Sequence, residues 1–309
     1  MRPATDAERD AWRSDWTDRL GAWYDRPGSP PGWAAGQAAD RAALLSRVPD
    51  VAVCALTDSA GQTVGTLALA ALGPDGNGQA VIADIWIDPG VRRRGYATAA
   101  AGLATDWARA RRCRSIVMTT RPGDRAHEAL FARYPVAAYQ MIKELAGPAV
   151  PAVLPAGLVG RPMTAPEFAG WRETTISEFA AEMAESGIAS PAEAVESAAD
   201  QTRQLLPDGL STPGHTFLCL CSGDGEVVAT NWIQHHRSPG VSWVYGVEVH
   251  DGHRGRGYGR AAMIAGEQAS LDAGDTHLAL NVFGQNAVAI GLYRSMGYVA
   301  YDSERACDL

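Results

Sequence analysis

The sequence predicts an α/β protein of two fused domains, each a mixed central sheet flanked by helices. Three observations carry that expectation. A β-rich segment, a Gly-rich turn and an Ala-rich helical segment are written twice, as Ile85-Trp-Ile-Asp-Pro-Gly-Val-Arg-Arg-Arg-Gly-Tyr-Ala97 and as Val247-Glu-Val-His-Asp-Gly-His-Arg-Gly-Arg-Gly-Tyr-Gly259. The repeat extends outward, since Arg2-Pro-Ala-Thr5 through Trp12 parallels Arg161-Pro-Met-Thr164 through Trp171, and residues 129–139 parallel 291–301. Finally, 309 residues suit two domains. Between the copies, residues 146–157 hold three prolines that fit neither a helix interior nor a central strand. The expected division is residues 1–145, a linker at 146–157, and residues 158–309.

Each copy reads strand–helix–helix–strand–strand–strand–helix–strand–helix–strand. In the second copy Thr164 or Ala165 opens a helix through Trp171 and Phe179. Pro191 at the first helical position, behind Ser190 as cap and with Glu193 at the third, predicts a helix over 191–206. Apolar runs at 217–221 and 227–234, joined by Ser-Gly-Asp-Gly, predict a hairpin. Residues 243–249 form the strand before the turn. A helix over 257–273 is stopped by Gly274. Residues 277–283 read as a buried strand. Ala289, Leu292, Tyr293 and Met296 make an i, i+3, i+4, i+7 stripe on a helix over 286–296, with Gly297 past its end. A final strand begins at 298–301.

Composition narrows the function. With 46% hydrophobic and 20% charged residues the chain is globular. No apolar run approaches about 18 residues, so no membrane span is expected, and the first residues lack a signal-peptide core, which makes cytoplasm the default. Residues 1–150 carry 18 Lys+Arg against 16 Asp+Glu, and residues 151–309 carry 9 against 19. A net charge of −8 argues against nucleic acid as a main partner. The acidic second half suits a cationic acceptor and equally a solvated surface. Five scattered cysteines lack metal or redox spacing, as do the histidines, so no metal is expected. Cys219 and Cys221 alternate in a strand and read as buried, and His235-His236 reads as a strand end.

A strand that stops at a Gly turn and opens a helix presents free backbone N–H groups to an anion such as a pyrophosphate. No Gly-x-Gly-x-x-Gly is present, so a dinucleotide fold is disfavoured. Arg254, Gly257 and Gly259, followed about 30 residues on by Asn286, Ala289, Leu292, Tyr293 and Gly297, make two blocks in a fixed structural order. Together they resemble the GNAT superfamily of acyl-CoA-dependent N-acyltransferases, well over residues 160–309 and loosely over 1–145. The tandem layout is similar to that of a member of the superfamily whose first half is a degenerate copy.

The resemblance implies a mixed sheet whose fourth and fifth strands splay to admit the pantetheine arm of acetyl-CoA, and direct attack of an amine on the thioester. Such chemistry needs a base, a donor to the carbonyl and an acid for the thiolate. It assigns Tyr293 as the acid, although the stripe also fits a core aromatic. It assigns Glu248 as a base at a partly desolvated strand end, where a solvent-facing strand residue is the plain alternative. The implied cofactor contacts are Val247, Val249, Arg254, Gly255, Arg256, Gly257, Tyr258, Gly259, Arg260, Asn281 and Asn286, with Val249 N–H as carbonyl donor. Asn286 fits a helix cap equally well. In the first copy Arg92, Arg94, Gly95 and Ala97 keep the turn, but Trp86, Phe131, Asp124 and Pro135 stand for Glu248, Tyr293, Asn286 and Gly297. Chemistry is therefore expected in the second copy, on a small amine-bearing acceptor; Glu173, Glu178, Glu182 and Glu185 hint at a cation. Monomer and homodimer remain equally open. The rival reading is an acyl-CoA-binding or scaffolding protein without turnover.

Overall fold

The computed structural model describes residues 1–26, 28–73, 78–145, 154–185 and 191–309. Each half has the element order read from sequence. The first half is β1 (Arg2–Pro3), α1 (Asp6–Tyr24), α2 (Trp33–Ser46), β2 (Val51–Thr57), β3 (Thr63–Leu72), β4 (Gln79–Ile87), α3 (Tyr96–Ala110), β5 (Ser115–Thr120), α4 (Arg125–Leu130) and β6 (Val136–Glu144). The second is β7 (Val159–Pro162), α5 (Ala165–Glu185), α6 (Pro191–Leu205), β8 (His215–Cys221), β9 (Val227–Ser238), β10 (Val241–Val249), α7 (Tyr258–Asp272), β11 (His277–Phe283), α8 (Ala287–Ser295) and β12 (Val299–Asp308). Ser190, the expected cap of α6, and residues 146–153 of the expected linker lie outside the described residues.

The opening repeat is a capping device. Thr5 caps α1 by accepting from Glu8 N–H, while Glu8 accepts from Thr5 N–H at 2.8 Å and from both Arg2 terminal nitrogens. In the second half Glu167 accepts from Thr164 N–H at 2.8 Å and from Arg161 in the same bidentate way. Arg2 and the backbone hydrogen bond pull the Glu8 carboxyl down to about 2. Thr5→Ala is expected to cost about 1 kcal/mol of stability, read as a drop in denaturant midpoint at unchanged slope.

The chain folds into two units that do not follow the sequence halves throughout. The first comprises Met1–Met141, Val282–Ile290 and Ala300–Leu309, and the second Ile142–Asn281 and Gly291–Val299. Each half thus lends residues to the other unit. Repeated periodicity dictates strand and helix, but it does not dictate which sheet completes with which terminal strand.

In the first unit the sheet order is β1-β2-β3-β4-β5-β12. The last strand pairs antiparallel with β5, from Ser303 opposite Thr120 to Asp308 opposite Ser115. A buried ion pair fixes it. Asp302, 1% exposed, accepts from Arg41 Nη2 and Tyr24 Oη, both at 2.8 Å, and Arg41 Nε donates to Tyr24 Oη at 2.6 Å. Arg305 donates to the Tyr134 carbonyl at 2.9 Å. On α1 the buried stripe Trp12, Trp16, Leu20 and Tyr24 repeats every fourth residue, the spacing of one helix face. Helix α3 buries Ala100, Ala101, Ala104 and Ala108, whose short side chains let it lie close over the sheet.

In the second unit β11, β10, β9, β8 and β7 follow one another. Only β10 and β11 run parallel there among the paired strands described. Ile142–Leu145 joins this unit, where Lys143 Nζ donates to both Glu267 oxygens at 2.7 Å and Leu145 N–H donates to the Thr276 carbonyl at 2.7 Å.

Strand β9 runs past its expected end to Ser238, so His235-His236 lies inside it and is not its end. The reason is a polar network that satisfies both rings. Asp275, 1% exposed, accepts from His236 N–H and Ser242 Oγ and pairs with His236 Nδ1, while His235 bridges Ser242 and Thr216. Among the described residues no helix is long and apolar enough to cross a membrane.

Candidate active site

Both units build the same strand–turn–helix corner. In the second, β10 pairs with β11 only from Val241 to Val244, and Tyr245–Val249 then diverges from it. In the first, β4 pairs with β5 only from Gln79 to Ile82. A bulge marks the parting in both: Tyr245 is the extra residue against β9 and Ala83 against β3, at equivalent places. A bulge re-aims side chains and ends pairing, so each parting strand offers a free backbone edge beside its turn.

The turn itself is held by its arginine. Arg92 Nε donates to the Ile87 carbonyl at 2.9 Å, and Arg254 Nε donates to the matching Val249 carbonyl at 3.4 Å. The side chain ties the turn back to the end of the strand. This bracing role was legible only as the identity of one residue type at the same place in both copies. Gly95 and Gly257 cap α3 and α7 at φ 86° and 84°, a left-handed conformation that favours glycine. Two residues earlier Gly255 has φ 77°, whereas the first copy forces Arg93 to φ 64°. The Gly259 and Ala97 places differ by one methyl, and a Cβ on Gly259 would meet only ordinary contacts with Leu292 and Val249.

Those two contacts bring α8 against the corner of the second unit. Arg260 Nη2 donates to Ser295 Oγ at 2.5 Å, which fixes the last turn of α8 to the first turn of α7. Between these ties stands Tyr293, 9% exposed, its ring 5.8 Å from that of Tyr298. Burial pushes its hydroxyl above the usual tyrosine value, so it keeps its proton well above neutral pH. The stripe residues are graded as one helix face would be, with Tyr293 buried and Ala289, Leu292 and Met296 less so.

Glu248 lies on β10 opposite Thr230 and is exposed. The partial desolvation expected of it is not what the structure shows: the parted edge of β10 leaves its side chain in solvent. Val247 and Val249 are half-buried on the same strand, and Arg254, Gly255, Arg256, Gly257 and Arg260 are exposed around the turn, with Tyr258 and Gly259 half-buried. Asn281 is exposed on β11. Asn286 caps α8, its Oδ1 accepting from Ala289 N–H at 3.0 Å. Asp124 does the same for α4, accepting from Ala126 and His127 N–H. The aligned pair therefore shares an acceptor role, and the loss of an amide donor in the first copy leaves the cap intact.

Two features escaped the sequence reading. Tyr245 on its bulge is 37% exposed and stacks at 4.5 Å on Trp232, with His215 behind. Asp84 on β4 accepts from Trp12 Nε1 at 2.9 Å and from Arg19 at 2.8 and 3.0 Å. A lone carboxylate in the apolar run of 80–87 was the available signal for the second. Cys219 and Cys221 are buried, and burial pushes the Cys219 thiol up to about 11, so it is no nucleophile at neutral pH.

Residues 9–134 and 181–298 each match the acetyltransferase (GNAT) family. The chain belongs to that family. The GNAT assignment makes it an acetyltransferase, from a family that uses acetyl-CoA and acts on amines. YycN, an uncharacterized N-acetyltransferase of Bacillus subtilis, is 30% identical over 145 residues, which cover 46% of this chain and 92% of YycN. A mycothiol acetyltransferase of Kytococcus sedentarius is 31% identical over 48% of this chain and 47% of its own length. Two solved structures share the fold along nearly the whole chain. A tandem GNAT protein from the clavulanic acid biosynthesis pathway has a TM-score of 0.54 at 20% identity, covering 99% of this chain and 97% of its own. A GCN5-related N-acetyltransferase from Sphaerobacter thermophilus has a TM-score of 0.60 at 16% identity, covering 99% and 94%. The twofold GNAT layout read from the repeat thus stands.

Proposed function

We propose that this GNAT chain moves an acetyl group from acetyl-CoA to a small amine by direct attack in a ternary complex, with the chemistry in the second unit. The observation that carries the proposal is the buried, protonated Tyr293, tied beside a Gly257 cradle and the free edge of β10. Backbone N–H groups from Arg254 to Arg260 would hold the pyrophosphate, and the parted edge at Val247 and Val249 would meet the pantetheine arm. Bound acetyl-CoA supplies an activated acyl thioester. Tyr293 gives its proton to the departing sulfur, Glu248 takes one from the incoming ammonium directly or through water, and Val249 N–H meets the carbonyl oxygen. Exposed Tyr245 on Trp232 offers a flat face to the acceptor, and Glu173 is an exposed carboxylate on α5. The side chains of Glu182 and Glu185 lie outside what is described.

The second cradle should bind CoA more tightly than the first, because glycine stands where the first copy strains Arg93. Calorimetry on Gly257→Glu and Gly95→Glu proteins tests this, since a side chain at either left-handed position is strained and its charge repels phosphate. The expected result is a loss of the tighter binding in Gly257→Glu alone. If only Gly95→Glu abolishes binding, the working unit is the other one. Turnover against an amine panel then identifies the acceptor.

A further inference from the structure

A cavity of about 1070 Å³ lies inside the first unit. It is lined by Gly95 and Tyr96 of the turn, Asp84 and Trp86 of β4, His127 on α4 and Trp23 on α1. The rings of Trp23 and His127 meet, with centroids 5.4 Å apart. His127 Nδ1 and Trp23 Nε1 are both buried and, among the described residues, neither has a hydrogen-bond partner. An unpaired buried polar atom is costly. Both residues line this ligand-sized cavity, so a ligand's polar group that entered between the two rings would satisfy these atoms.

His127 also stands where chemistry is wanted. It lies one helical turn before Phe131, on the same face, with ring centroids 6.3 Å apart. Phe131 occupies the place that Tyr293 holds in the second copy. Burial holds the His127 imidazole below its usual value, against the opposing pull of Asp124 at its own helix start and Asp84 on β4. The ring is therefore neutral at physiological pH and free to accept a proton. Asp84 is itself held by Arg19 and Trp12.

We propose that the first unit is a second acyl-transfer site, in which His127 carries the protons and Trp23 Nε1–H meets the carbonyl oxygen of an acyl-CoA thioester. This rests on the family chemistry proposed above. His127 takes one proton from the incoming ammonium. The freed amine forms the C–N bond as the C–S bond breaks. His127 returns its proton to the sulfur, giving a thiol and a neutral ring, and the new amide nitrogen loses its second proton to water.

The test uses full-length protein and two readouts. In a Gly257→Glu protein, added CoA should still bind by calorimetry and should shift the NMR signals of the His127 ring, and a further Gly95→Glu change should remove both effects. In a Tyr293→Phe protein, the residual acetyl-CoA turnover with the amine panel should fall at least tenfold more on His127→Gln. Trp23→Phe keeps a ring and removes the N–H, so it should lower the residual rate likewise, at an unchanged melting temperature. Unshifted His127 signals, or a residual rate indifferent to both changes, overturn the proposal while leaving the second-unit reading intact. Wild-type activity in Tyr293→Phe that vanishes with His127→Gln overturns the second-unit reading instead. A wild-type protein without turnover on any amine overturns both.

Discussion

Tyr293→Phe is expected to lower kcat by about 10²–10³, roughly 3–4 kcal/mol of barrier, while CoA affinity stays near wild type. The substitution removes one hydroxyl and keeps the ring that packs against Tyr298. The equivalent place in the first unit is already Phe131, buried at 3% exposure, so the fold accepts phenylalanine on this helix face. Because burial raises the hydroxyl's pKa, the wild-type enzyme should keep its proton donor up to and beyond about pH 10, the ordinary tyrosine value. The mutant's deficit should therefore widen above neutral pH, where water supplies fewer protons. Steady-state kinetics across pH, alongside calorimetric CoA binding, checks both statements. A Tyr293→Phe enzyme with wild-type kcat would reduce the residue to core packing and leave water or bound substrate as the acid.

Residues 158–309 expressed alone should aggregate or fold poorly and show little activity. The fragment lacks Ile142–Leu145, and with them the Lys143–Glu267 pair and the Leu145–Thr276 hydrogen bond of the second unit. It also strands Ala300–Leu309, whose partner strand is Ser115–Thr120. Without the first unit Asp302 loses Tyr24 and Arg41, and the strand that carries it becomes an open edge that can pair with another chain. Circular dichroism, size-exclusion chromatography and an acetyl-CoA assay of the fragment give the answer. A soluble, monomeric and fully active fragment would show that the borrowed segments are dispensable.

The order of elements was legible because each signal was local. Thr164 or Ala165 began α5, glycine ended α7 and α8, and Ser-Gly-Asp-Gly joined β8 to β9. The cradle was legible for the same reason, since a turn glycine and its helix are neighbours in sequence. What stayed hidden depended on distant partners. His235-His236 read as a strand end because the Ser242 and Asp275 side chains that engage the pair inside β9 lie on other segments. Tyr245 sits in an apolar run whose alternation does not reveal a bulge. Glu248 looked partly buried because the free edge of β10 could not be read from its own residues. The exchange of terminal strands was the least legible, because β6 and β12 look equally fit for either sheet. His127 stands one turn before Phe131 with nothing in the sequence to mark it, and its unpaired nitrogen and cavity appear only in three dimensions.

The place of the last strand also sets a schedule for synthesis. The first unit has its bulk by Met141 but receives Ala300–Leu309 only after the whole of Ile142–Asn281 has been made. At ribosomal rates, the intervening stretch of roughly 160 residues takes roughly 8–30 s to make. Throughout that interval β5 lacks the neighbour that covers its outer edge, and Arg41 lacks its carboxylate. A nascent chain with an open strand edge is prone to pair with another chain. The first unit thus starts before the second and is finished after it, and its yield depends on whatever shields that edge until the last strand is made.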